Sequence, residues 1–116
     1  MNIHKQIEYL VCQQIEYLVC QELAEARTKH GRRFNSPHEG YAVLLEEFEE
    51  MLDGANNIGE VLPYLWQDTK QDAPQASLCG WMPRIKADAI NVAAEAIQVA
   101  AMAVKFSESF SREEGA

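Results

Sequence analysis

Across residues 85–106 the chain is rich in alanine and apolar at most positions, yet its polar residues fall in a line. Asp88, Asn91, Glu95, Gln98 and Lys105 follow one another at steps of 3, 4, 3 and 7, with Met102 in the one gap. On a helix such steps keep returning to the same side, so these groups form one polar stripe on an otherwise apolar cylinder. A helix that is apolar around most of its circumference belongs at the centre of the packing. A polar stripe on such a helix is costly unless its groups are paired, hydrated or bound to metal. A stripe facing solvent is the competing reading. It would be expected to carry several Lys, Arg or Glu, not short Asp and Asn with one Glu and one Gln.

The rest of the chain shows helical periodicity and no strand pattern. A first helix is expected over residues 2–29, ending near Gly31 with basic residues in its last turn. It contains a perfect tandem octamer, residues 6–13 and 14–21, each Gln-Ile-Glu-Tyr-Leu-Val-Cys-Gln. Eight residues advance a helix by about 80° beyond two full turns. The stripe Ile7, Leu10, Val11 therefore returns, rotated, as Ile15, Leu18, Val19, which widens the apolar face. A second helix starts at the capping box formed by Ser36 and Glu39, with Pro37 in the first helical position. Tyr41, Leu44, Leu45, Phe48 and Leu52 share one of its faces, and Asp53-Gly54 is expected to end it. Residues 54–82, broken by Gly54, Gly59, Pro63, Pro74 and Gly80, read as an irregular connection with one short helix near 58–67; Trp66 and Trp81 are expected to be packing residues there. The last helix is expected over 83–110, followed by a frayed tail at 111–116. The expectation is an all-α fold: a helical bundle of three long helices plus a short one, forming a single domain over 1–116. The broad apolar faces exceed what such a monomer can cover, which points to a homodimer or tetramer.

Charge narrows the function classes. Ten Lys+Arg against eighteen Asp+Glu give a net charge of −8 over 116 residues. Binding a nucleic-acid polymer needs clustered cations, so that class is excluded, as is an anionic membrane surface. The apolar stretch 89–104 is shorter than the roughly 20 residues of a bilayer span and carries Asn91, Glu95 and Gln98. The first residues show no secretory pattern. Cys12, Cys20 and Cys79 form no metal or redox spacing and are expected to be reduced, structural thiols of a cytoplasmic protein. An acidic chain that acts on a phosphorylated substrate needs a divalent metal between the two negative partners.

A place for such a metal can be read on the second helix, where Glu46, Glu47, Glu49 and Glu50 stand within five residues. Glu47 and Glu50, and likewise Glu46 and Glu50, are surface neighbours and repel one another. A hard cation relieves that repulsion by taking oxygen ligands from both; a solvated acidic face is the alternative. Opposing Glu47 and Glu50 with Glu95 across a helix–helix groove would assemble an oxygen-rich cage suited to Mg²⁺, or Mn²⁺, rather than zinc. Lys29, Arg32 and Arg33, in the chain's cationic cluster, are the candidates to hold phosphate charge. Lys86 and Lys105 are alternatives on the last helix.

At these residues the sequence resembles the MazG-like all-α nucleoside triphosphate pyrophosphohydrolases. Glu46-Glu47-Phe48-Glu49-Glu50 fits the family's Glu-Glu-x-x-Glu motif, and Glu95-Ala96-Ile97-Gln98 sits where the family carries Glu-x-x-Asp. The segment leading into the first motif, His38 to Leu45, is also similar. The resemblance covers about residues 29–53 and 84–106. It implies an α-helical homodimer or higher assembly that binds Mg²⁺ and hydrolyses a (d)NTP to the monophosphate and pyrophosphate. Carried over to this chain, Glu47, Glu50 and Glu95 would be metal ligands, Gln98 would stand in the fourth ligand position, and Glu46 would assist as a ligand or orient the water. Gln98 replaces the family's Asp with a neutral amide, which would also fit a protein that binds metal or nucleotide with weak turnover. A helical oligomerisation module with a solvated acidic face is the third reading.

Overall fold

The computed structural model describes residues 2–111, and among them it contains helices and no strand. The elements are α1 (Ile3–His30), α2 (Pro37–Lys70), the short α3 (Gln75–Cys79) and α4 (Met82–Phe110). The all-α expectation of three long helices and a short one holds. The frayed tail lies, from residue 112 onward, outside the described residues.

The local signals explain most of the boundaries. Asn2 caps α1 by accepting the Lys5 N–H at 2.9 Å. Gly31 stops that helix with a φ of +91°, a left-handed value that glycine adopts without strain. Ser36 accepts the Glu39 N–H at 3.1 Å, as a capping box requires. The return bond is shifted by one residue, however, since Glu39 accepts the Asn35 N–H at 2.7 Å. One boundary differs from expectation. Gly54 does not end the second helix, which continues through Gly59 and Pro63 to Lys70, so the irregular connection shrinks to the residues around α3.

The chain divides into two compact units, Met1–Glu46 with Ile97–Ala116, and Glu47–Ala96. In the first, Val19, Leu23, Phe34, Ala101 and Met102 form the core, with Val43, Leu44, Ile97 and Phe106 against it. Phe34 is fixed at both ends of its residue: its N–H donates to Ser109 Oγ at 3.0 Å, and its ring lies 6.4 Å from that of Phe106. Gly40 is buried where a Cβ would meet the Phe106 ring at 2.5 Å, so the first turn of α2 approaches α4 as only glycine allows. Arg27 and Glu108 pair across α1 and α4.

In the second unit, Val61 is 1% exposed and anchors the rear half of α2. Gly54 is buried against α4, and a Cβ there would meet Val92 Cγ2 at 2.8 Å. The turn region is tied down by the Trp81 indole N–H, which donates to Asp68 Oδ2 at 2.9 Å while the ring stacks on Tyr64. Trp81 packs as expected. Trp66 does not: it is 59% exposed, with the Lys70 ammonium 5.7 Å from its ring centre. The three cysteines are free and exposed, which corrects their reading as structural thiols, since none fills a core position.

The stretch Gln75–Phe110 is long and apolar enough to cross a membrane by length and composition. Its polar groups nevertheless meet protein partners: Asp88 meets Arg84, Gln98 meets Glu22, and Lys105 meets the Phe34 ring.

Candidate metal centre

The polar stripe on α4 is turned toward neighbouring helices along most of its length rather than toward solvent. Within the second unit it meets the acidic face of α2. Glu47 and Glu50, one turn apart on α2, and Glu95 on α4 each bring a carboxylate oxygen to a common point, all within 4.8 Å of one another. Gly54 is what lets the two helices approach, four residues beyond Glu50 and against Asn91 and Val92. Glu47 and Glu95 are half-buried and Glu50 is exposed, so the cluster sits at the surface with one side open.

Its electrostatics follow from the crowding of like charges. The Glu50 carboxyl is held above the ordinary glutamate range, first by partial desolvation, then by the charge and hydrogen bond of Glu95, then by Asp53. The group therefore resists ionising in the company it keeps. A cation placed among the three oxygens reverses that preference. The donor set is all carboxylate, without imidazole or thiolate, and so fits hard Mg²⁺ or Mn²⁺ over zinc.

The remaining expected site residues are more dispersed. Glu46 is exposed on α2, one residue before the cluster. Gln98 donates from Nε2 to Glu22 Oε2 at 2.7 Å, tying α4 to α1 in the first unit. Lys29 pairs with Glu25 at 3.0 Å; that hydrogen bond first, and the charge of Glu25 next, raise its pKa. Arg32 and Arg33 are exposed in the turn before α2, and Lys86 is exposed on α4. Nine residues separate Lys86 from Glu95, a rotation of about 180° that puts them on opposite sides of the helix. Lys105 is 3% exposed against Phe34, inside the first unit's core, which withdraws it from the phosphate-binding candidates.

Three residues escaped the reading of the sequence. Asp53 adds its charge to Glu50, and its i,i+3 spacing from Glu50 was the available signal. Arg84 stands eleven residues before Glu95, on the same side of α4 by helical geometry, with Nε 3.9 Å from Asp88 Oδ2. That Asp88 oxygen is buried and accepts no hydrogen bond. Glu22, the partner of Gln98, lies on α1 and carried no signal linking it to α4.

No family model, curated protein or solved structure matches the chain.

Proposed function

We propose that the Glu47, Glu50 and Glu95 cluster binds Mg²⁺, or Mn²⁺, and serves the hydrolysis of a nucleoside triphosphate to the monophosphate and pyrophosphate, as in the MazG-like family that the two acidic motifs resemble. The observation that carries the metal is the convergence of three carboxylates from two helices within 4.8 Å. The reaction class rests on the motif resemblance. A bound divalent cation supplies charge neutralisation for the phosphates and a lowered pKa for a coordinated water. The chain's own part is to hold three oxygens in place through the α2–α4 contact at Gly54. Glu46 is assigned to orient the attacking water. Within the second unit, Arg84, on the Glu95 side of α4, is the cation assigned to take up phosphate charge. The protein is assigned to the cytoplasm, where its thiols stay reduced.

A second reading has its own support. Gln98 spends its amide N–H on Glu22, so the position where the family has a carboxylate serves packing. That favours a protein that binds metal and nucleotide with little turnover. Pyrophosphate release over a panel of (d)NTPs with Mg²⁺ separates the two. Turnover abolished by Glu47→Ala or Glu50→Ala supports the hydrolase. Nucleotide and Mg²⁺ binding without release leaves the second reading, and no Mg²⁺ binding by calorimetry overturns both.

A further inference from the structure

We propose that the exposed apolar face of α2 in the second unit docks a helix of another protein, one whose apolar side is edged with Lys and Arg. Phe48, Leu52, Ala55, Gly59, Leu62 and Trp66 follow one another at steps of 4, 3, 4, 3 and 4, the spacing of a coiled-coil seam. The side of α2 that packs on α4 at Gly54 lies about 120° round the helix from this row. Phe48, Leu52, Leu62 and Trp66 are accordingly 43%, 41%, 48% and 59% exposed. Ala55 and Gly59 are exposed between them, and a Cβ on Gly59 would meet nothing within 4 Å. Bulk at both ends and small residues in the middle make a saddle about 27 Å long, in which a crossing helix can approach closely. An uncovered apolar seam of this length marks an interaction surface, and an amphipathic helix is the element that lays such a row of anchors into contact.

Charge selects the occupant. The row itself holds no carboxylate, and the charged group beside it is the Lys70 ammonium, 5.7 Å from the Trp66 ring centre. Along one edge, about 100–140° from the middle of the row, stand Glu49, Asp53 and Glu60, all exposed. A helix with Lys or Arg beside its apolar side pairs with that edge, which fixes its orientation and favours it over uncharged or acidic competitors. A second copy is the poorer occupant. Two copies crossing antiparallel over Ala55 and Gly59 would bring Asp53 and Glu60 of each chain beside those of the other, between molecules of net charge −8. An anionic membrane meets the same acidic edge, whereas interfacial helices carry Lys and Arg there.

Calorimetry of the full chain with two synthetic helical peptides, each about five turns long, tests this. Both carry Leu at the seam positions; one has Lys at the remaining positions and the other Glu. The expected result is that the Lys peptide binds and the Glu peptide does not. Leu52→Gln/Leu62→Gln should weaken the Lys peptide at least tenfold, while Asn57→Gln, on the opposite side of α2, leaves it unchanged. All three positions are exposed and Gln keeps the helix propensity of Leu, so circular dichroism should show unchanged helicity. A Lys peptide that fails to bind, that binds no better than the Glu peptide, or that binds the double variant equally well overturns the proposal. So does a wild-type dimer in sedimentation velocity that the double substitution takes apart, since the face would then belong to a second copy.

Discussion

At Glu50 the physical chemistry of the cluster has a sign that can be measured. Its folded-state pKa lies above that of the unfolded chain, first through partial desolvation and then through Glu95. A carboxyl shifted upward binds its proton more tightly in the folded protein. Below the ordinary glutamate range both states are protonated and Glu50 imposes no penalty. As pH rises from there through the raised folded value, metal-free stability falls. Glu50→Gln removes the titrating group, so without divalent ions it should melt above the wild type at neutral pH and level with it in acid. Thermal melts at the two pH values check this; equal melting temperatures at neutral pH would show that the glutamates do not repel. Lys105 offers a second test. The residue is 3% exposed, and the only contact found for its ammonium among the described residues is the Phe34 ring at 4.6 Å. A cation–π contact contributes about 0.5–2 kcal/mol, which falls short of the cost of stripping most of the hydration from an ammonium. Lys105→Met keeps the stem and removes the charge, so it should stabilise the protein by about 1 kcal/mol in urea denaturation.

Among the elements, α2 shows where sequence reading stops. The cap at Ser36, the apolar face through Leu52 and the acidic turn were all legible, because each is a local pattern. The run from Gly54 to Lys70 was not. Interior glycine costs a helix about 1 kcal/mol and interior proline about 3, so Gly54, Gly59 and Pro63 read as breaks. What overrides them is tertiary: Gly54 seats against Val92, Val61 is buried, and Trp81 bonds Asp68. The same contact sets the site. Which carboxylates faced one another could be guessed from Glu47, Glu50 and Glu95, but Gln98 turning to Glu22 depended on a partner 76 residues away in the chain. Two substitutions follow. Pro63→Ala restores an N–H donor to an exposed position in α2 and should raise stability by about 1–3 kcal/mol. Gly54→Ala sets a methyl 2.8 Å from Val92 Cγ2 and should cost about 1–3 kcal/mol by overpacking. It should also weaken Mg²⁺ binding, because it forces apart the helices that carry Glu50 and Glu95; calorimetry on a folded Gly54→Ala protein with unchanged Mg²⁺ affinity would detach the site from that contact.

On the scale of the whole molecule, the excess of eight negative charges has two consequences that salt can separate. General repulsion among surface carboxylates is screened by any electrolyte, with a Debye length near 10 Å at about 0.1 M. A bound ion acts instead through mass action, adding about 2.7 kcal/mol of stability at a concentration one hundred times its dissociation constant. Melting curves in NaCl and MgCl₂ at matched ionic strength should therefore diverge. Both salts should raise the melting temperature, with MgCl₂ giving an additional rise that grows with the logarithm of its concentration above the dissociation constant. Glu47→Gln/Glu50→Gln should keep the NaCl response, because most of the chain's acidic residues remain. It should lose the extra rise in MgCl₂, because two of the three oxygens that gather within 4.8 Å become amides. Coincident wild-type curves in the two salts would mean that the cluster is solvated and that the charge acts only in bulk. A divergence that survives the double substitution would place the ion among other carboxylates, with Asp88 the first to substitute, since its buried Oδ2 accepts no hydrogen bond.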